Sequence, residues 1–318
     1  MRLRPAAQHM PIAATTLVFL LLYAAAALRY PGFFSLPVLL NLFCDNAFLG
    51  LAAIGMTFVI LSGGIDLSVG AMIGLTSILL ATLIGRAGVH PLAAIAVVLL
   101  AGAAFGATMG CLIHFFALPP FLITLAGMFL ARGLAFVVSL ETITIRHDFY
   151  NAIGDFGYRV FPVTALLFLL ALVGAIYLAH YTRFGRAVYA VGGSESSALL
   201  MGLPVARTKI AVYLLSSLCA SAAGVVYTFY TSSGNAGAGT MLELDAIAAV
   251  VIGGTLLSGG VGYVFGTLIG VLIYGIIQTI IAFQGTLSTW WTRIAIGGLL
   301  LAFILLQKLV QSRAMRRT

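Results

Sequence analysis

Apolar positions in this chain do not alternate with polar ones. They come in runs of about 15 to 23 residues, broken by short polar or glycine-rich stretches. A helix needs about 20 apolar residues to cross a bilayer. A barrel strand needs only about 10, alternating with period two. The pattern therefore predicts helices, over 10–28, 46–62, 66–84, 91–114, 121–139, 161–180, 209–230, 244–258, 262–282 and 292–310. The expected fold is all-α, a polytopic membrane protein of about ten transmembrane helices in a single domain spanning 1–318. The segment 244–258 is short, about 22 Å at 1.5 Å per residue. It is expected to be tilted, re-entrant or broken, which is tolerated where protein shields the backbone.

Composition agrees: 62% of residues are hydrophobic and 8% charged, whereas a soluble domain carries roughly a quarter charged. The formal charge of +8 does not point to nucleic acid, because ten of the sixteen basic residues gather in three stretches. Arg2 and Arg4 open the chain, Arg183, Arg186, Arg207 and Lys209 share one loop, and Lys308, Arg313, Arg316 and Arg317 close it. Under the positive-inside rule these are cytoplasmic segments, and an even number of crossings puts both termini there. The run 10–28 is long for a signal-peptide core and is read as an uncleaved first helix. Cys44, Cys111 and Cys219 are scattered in or beside apolar runs and read as small hydrophobes.

A second periodicity is longer. Leu61–Gly74 reads LSGGIDLSVGAMIG and Leu257–Gly270 reads LSGGVGYVFGTLIG, identical at seven of fourteen positions. Six predicted crossings separate the copies, so both turns face the cytoplasm and the repeat is parallel. Repeated halves of this kind are common in transporters. Ser62, Gly63, Gly64, Ser258, Gly259 and Gly260 are candidate flex points of a gate. Gly102, Gly106 and Gly110, spaced by four, suit close helix contact in lipid.

Few residues could carry chemistry. GxxxxGK[ST] is absent, so any use of ATP requires a partner, and neither paired catalytic carboxylates nor a metal cluster stands out. No cofactor is expected. In the loop 181–208, Ser194 is an N-cap for a short helix favoured by Glu195 at its positive end, and Gly202 with Pro204 ends it. Such a helix is either an amphipathic linker on lipid headgroups or a coupling element. Asp66, between two apolar runs, either caps the following helix beside Ser68 or lines a pathway. Arg132 sits within an otherwise uncharged run, where it pairs with carbonyls or a carboxylate, snorkels outward, or contacts substrate. Asp45, Asn46, Glu243 and Asp245 precede helices at the outer side, as caps or as contacts for a docked protein.

TRFGRAVYAVGGSESSALLMGL, GMTFVILSGGIDLSVG and LDAIAAVVIGGTLLSGGVG together resemble the ribose/xylose/arabinose family of ABC importer permeases, over nearly the whole chain. DNAFLGLAAIGMTFVILSGGIDLSVG and GTLSTWWTRIAIG are most similar to the permease subunits of galactofuranose importers within that family. The resemblance implies a bacterial inner-membrane translocation subunit without enzymatic activity, most similar to those importing galactofuranose. It implies three partners: a cytoplasmic ABC ATPase, a periplasmic sugar-binding protein and a second permease, as a heterodimer rather than a homodimer. It further implies that Arg183, Gly185, Arg186, Gly192, Gly193, Ser194, Glu195, Ala198, Met201 and Gly202 couple to the ATPase. An ion-coupled secondary sugar transporter is the alternative, with Asp66 as its one reasonable coupling acid. An integral membrane enzyme would need an activated nucleophile or a metal site.

Overall fold

The computed structural model describes residues 5–156, 161–288 and 290–315. Arg2, Arg4, Arg316 and Arg317 of the expected cytoplasmic termini lie outside the described residues. Each of the ten predicted segments corresponds to one helix: α1 (Pro5–Arg29), α3 (Ala47–Leu61), α4 (Val69–Gly85), α5 (Pro91–Phe115), α6 (Pro120–Val138), α8 (Val163–Tyr181), α11 (Val205–Thr231), α12 (Leu242–Ile252), α13 (Val264–Gln284) and α14 (Trp290–Met315). Between them lie four further helices, α2 (Leu36–Asp45), α7 (Asp148–Gly154), α9 (Arg183–Gly193) and α10 (Glu195–Leu200). Two short strands, β1 (Ile143–Thr144) and β2 (Ser233–Gly234), pair antiparallel.

By length and composition, six of the described helices suffice to cross a membrane: α1, α5, α6, α8, α11 and α13. The pair α2 and α3, bent by 52°, makes a seventh crossing if it is one broken span rather than a re-entrant loop. The bend falls at Asn46, whose Nδ2 donates to the Leu42 carbonyl at 2.9 Å and ends α2. The apolar helices α4 and Trp290–Leu305 of α14 are shorter. At 11 residues, α12 is about 16 Å long, well short of a 30 Å hydrocarbon layer. It stops at Ile252 rather than 258 because Gly254 turns with φ +94°. The expected count of about ten crossings thus stands at six or seven by length among the described residues.

The core follows from which helices are apolar all round. Every residue of α3 but Phe48 is buried, and α4 is nearly as enclosed, so these two sit inside the bundle. By contrast α5 and α6 expose Leu100, Phe115, Phe121, Phe129 and Val137 on their outer faces, as lipid-facing helices do. On its inner face α5 presents the spaced glycines. A Cβ at Gly102 would strike the Ser221 side chain, one at Gly106 would meet the Tyr213 carbonyl and Ser217, and one at Gly110 would meet Ile210. The stripe therefore seats α5 directly on α11, the close approach expected in lipid.

The internal repeat has a shared form. In each copy a helix reaches one end of the bundle, an irregular glycine-containing segment follows, and a second helix leaves. The copies are α3, residues 62–68, α4 and α12, residues 253–263, α13. They touch: Gly260 N–H donates to the Leu61 carbonyl at 2.9 Å, and the Thr57 and Thr267 hydroxyls bond at 2.7 Å. Irregular backbone at this depth is permitted because neighbouring helices cover it.

Candidate functional site

Two short helices lie against the end of the bundle where the repeated turns meet. The Thr182 hydroxyl accepts from Gly185 N–H at 3.1 Å and starts α9. Gly185, Ala187, Val188 and Val191 face inward along α9, while Arg183 and Arg186 are exposed. This amphipathic period is present in the sequence, yet only the following helix was anticipated. As anticipated, the Ser194 hydroxyl caps α10, accepting from Ser197 N–H at 3.3 Å. The Glu195 carboxylate pairs with Lys209 Nζ at 2.6 Å, and Gly202 closes the element at φ +73°. Ala198 is buried against Val191 and Val205. Leu199, Leu200 and Met201 project outward, 65%, 88% and 67% exposed. These three consecutive residues form an exposed apolar patch at the tip of a surface helix.

The end of α9 joins both repeated turns. A Cβ added at Gly192 would overlap the Leu61 carbonyl and reach 2.7 Å from Gly260 N, the partners of the hydrogen bond that links the copies. Gly259 and Gly260 have φ of +81° and +73°, and Gly63 has +82°, conformations that glycine adopts without cost. A Cβ at Gly260 would sit 2.8 Å from Gly193 backbone, and one at Gly259 2.8 Å from Gly63 N. Above this junction the Tyr189 hydroxyl donates to the Gly262 carbonyl at 2.8 Å. Burial, and secondarily Tyr263, pushes the Tyr189 hydroxyl up to about 12, so it stays a donor at any physiological pH. Backbone-to-backbone packing of three segments leaves no flexible side chain to absorb motion. The end of α9 is therefore in direct backbone contact with both turns.

Asp66 lies deeper, fully buried. Its Oδ1 accepts from Ser68 N–H at 2.9 Å and from the Ser68 hydroxyl at 2.6 Å, which closes the turn into α4. Its Oδ2 accepts from the Ser216 hydroxyl of α11 at 2.8 Å. The cross-helix bond has no local signature, so Ser216 was not foreseen. The Tyr213, Ser217 and Ser221 hydroxyls on the same helix are buried without hydrogen-bond partners.

Beside the first turns of α4, Arg132 takes carbonyl partners. Its Nη1 donates to Ala236 at 2.6 Å and Ala238 at 2.7 Å, in the loop between α11 and α12. The Ser77 hydroxyl holds the same loop through the Asn235 carbonyl at 3.0 Å. Gly70 and Gly74 leave the room: a Cβ at Gly74 would strike Arg132, and one at Gly70 would strike Glu243. Glu243, 9% exposed, has its Oε2 buried without a hydrogen-bond partner. Asp245 accepts from the Tyr274 hydroxyl at 3.1 Å. Asp45 and Asn46 occupy the α2–α3 bend, facing Gln278 and Thr279 of α13 across a cavity. The four residues expected at the outer side are thus separated: two at this cavity, Glu243 against the first turn of α4 and Asp245 facing α13.

A helical bundle with paired repeats, a glycine junction at one end and a surface helix pair there has the form of a membrane transport subunit. The chain belongs to the family described as branched-chain amino acid transport system / permease component, whose model matches residues 38–304. It is 52% identical to the inner membrane ABC transporter permease protein YjfF of Escherichia coli, over 95% of this chain and 92% of that one. It is 40% identical to the ribose import permease protein RbsC of Bacillus subtilis, over 92% and 90% of the two chains. It is 39% identical to the fructose import permease protein FruG of Bifidobacterium longum, over 96% and 92%. No solved structure matches the chain. The protein is a permease component of the ABC sugar importer kind, and its relatives are membrane permeases.

Proposed function

We propose that this chain is the translocation subunit of an ATP-driven importer of a monosaccharide, galactofuranose, in the bacterial inner membrane. A periplasmic binding protein delivers the sugar, a separate cytoplasmic ATPase supplies the work, and a second, different permease completes the pathway. Both termini are cytoplasmic, with about ten membrane-inserted segments including the short α12. The helices α9 and α10 are the coupling element: Leu199, Leu200 and Met201 enter the ATPase, flanked by Arg183 and Arg186. The carrying observation is the packing of Gly192 on the bond between Leu61 and Gly260. Movement of the docked tip is thereby delivered to both repeated turns, whose Ser62, Gly63, Gly64, Ser258, Gly259 and Gly260 form the inner gate. Asp66 and Arg132 brace the moving segments from within, through Ser216 and the 236–238 carbonyls. Glu243 and Asp245 anchor the α12 end where a docked binding protein would press. The galactofuranose assignment rests on the sequence resemblance, and the ribose and fructose permeases among the relatives support the monosaccharide class.

Reconstitution tests this. Proteoliposomes carry the chain, its permease partner and the ATPase, with binding protein outside and ATP inside. ATP-dependent uptake of labelled galactofuranose is expected. Arg186→Glu should lower uptake while the complex still assembles; this site is cleaner than Glu195, whose reversal would also repel Lys209. Uptake of ribose but not galactofuranose would overturn the substrate. Uptake without the ATPase, abolished by a protonophore, would overturn the importer reading in favour of ion coupling.

A further inference from the structure

The cavity between α2 and α13 has a largely polar lining. It measures about 210 Å³ and is walled by Asn41, Asp45, Asn46, Gln278 and Thr279, with Val38, Ala282 and Phe283. Asn41, Asp45 and Gln278 are exposed, although every one of these residues belongs to a helix that qualifies as a membrane span, alone or as the bent pair. Gln278 lies six residues before the end of α13, about 9 Å along the helix axis. A carboxylate facing hydrocarbon is costly, about 2.5 kcal/mol or more at mid-helix depth even on insertion scales, and amides add to this. The exposed faces of α5 and α6 carry mainly Leu, Phe and Val. The α2/α13 face therefore meets water or another protein rather than lipid.

The cavity's polar groups are fixed from behind. Asn46 is seated by its bond to the Leu42 carbonyl, in room left by Gly275, where a Cβ would strike the Asn46 amide. The Tyr230 hydroxyl donates to the Asp45 carboxylate. The Gln278 amide bonds the Tyr274 hydroxyl, which in turn donates to Asp245. Phe283 is held edge-on by Phe33, with ring centroids 5.6 Å apart, and packs against Tyr30, whose hydroxyl donates to Gln284 at 2.7 Å. The result is a ring of amide, hydroxyl and carboxylate groups beside one rigid aromatic plane. Carboxylates and amides accept from and donate to vicinal hydroxyls, and an aromatic face covers the C–H side of a sugar ring. That mix of an apolar wall and a few placed polar groups is how small-ligand sites are built. Its volume falls below the range of about 300–1,000 Å³ for complete pockets, as befits a site open on one side.

We infer that the α2/α13 cavity is a carbohydrate subsite on the translocation path, one wall of a site closed by the second permease subunit. It binds the hydroxyls of a monosaccharide through Asp45, Asn41 and Gln278. This deepens the proposed function and rests on it for the sugar class. It assigns Asp45 to contact with the sugar rather than with a docked binding protein, and Asn46 to the wall behind it.

The test uses the native host, with the chromosomal copy carrying alanine at Cys44, Cys111 and Cys219 and one new cysteine at a lining position that does not bind the sugar, Val38→Cys or Ala282→Cys. Spheroplasts are exposed to a membrane-impermeant maleimide, alone or with methyl galactofuranoside, ribose or fructose, against sorbitol as osmotic control. Phe129→Cys, on the apolar face of α6, is the lipid-facing reference. Both cavity cysteines are expected to label while Phe129→Cys does not. At sugar about ten times its Kd, labelling should slow roughly tenfold, because the free fraction falls as 1/(1 + [L]/Kd). Unreactive cavity cysteines overturn the water-lined site, and labelling that none of the three sugars slows overturns the sugar subsite. Either failure leaves ATP-dependent uptake by the unmodified chain untouched. Sugar-protected labelling without ATP-dependent uptake would instead sink the importer reading and keep the subsite.

Discussion

Gly192 and Gly193 are neighbours at the end of α9, yet replacing each by alanine should have opposite consequences. The Gly193 site is open: a Cβ there meets nothing within 4 Å. Gly192→Ala drives a methyl into the Leu61 carbonyl and against Gly260 N, both backbone atoms that cannot rotate aside. Forcing the segments apart costs about 1–3 kcal/mol as overpacking. Breaking the Gly260 to Leu61 bond and leaving its partners buried adds about 1–3 kcal/mol. Replacing a helical glycine by alanine returns about 1 kcal/mol. The balance is a loss of about 3 kcal/mol for Gly192→Ala and a gain of up to about 1 kcal/mol for Gly193→Ala. At about 2 °C per kcal/mol for a chain of this size, the melting temperatures of the detergent-purified variants should differ by about 8 °C at one scan rate. In reconstituted importer, Gly192→Ala should also lower the sugar moved per ATP hydrolysed, while Gly193→Ala leaves that ratio unchanged. Equal melting temperatures with equal transport ratios would refute the junction as both a structural and a coupling contact.

Ser216→Ala removes a donor to the buried Asp66 carboxyl and should cost about 1.5–3 kcal/mol in thermal or denaturant unfolding. Ser217→Ala, one residue on, removes a hydroxyl with no partner and should be neutral or stabilising. Arg132→Met strips the Ala236 and Ala238 carbonyls of their donor and should cost about 3 kcal/mol, speeding hydrogen exchange and proteolysis across 233–240. Arg132→Lys should retain part of the protection, because both bonds come from a single nitrogen. Tyr189→Phe deletes the bond to Gly262 and should cost about 1 kcal/mol at neutral pH. The folded protein favours the neutral Tyr189 hydroxyl, so its contribution is intact below the unfolded tyrosine value of about 10. It is lost as pH climbs from there toward 12, and Tyr189→Phe should abolish that part of the alkaline loss in a stability-versus-pH profile.

Length and polarity of the apolar runs determine that the chain is a helical membrane protein, because unpaired backbone is intolerable in hydrocarbon and a helix satisfies its own. Local rules also place the α10 cap at Ser194 and the turn bonding of Asp66 to Ser68, since both partners lie within three residues. The repeat itself is written in the two LSGG stretches, and the family in motifs covering most of the chain. What tertiary structure alone decides is which of these pieces meet. Leu61, Gly192 and Gly260 are about 70 to 200 residues apart, and a glycine carries no side chain whose chemistry could announce its neighbour. Ser216 looks like any small polar residue of a helix until α11 sets it against Asp66. The amphipathic face of α9 was readable, but its meaning depends on what lies beneath it. Asp45 and Gln278 are single polar residues in separate helices, each too weak a mark by itself. The 52° bend after α2 and the packing of α13 bring them to one cavity, because distance along a chain constrains only local geometry while burial of helix faces sets the rest.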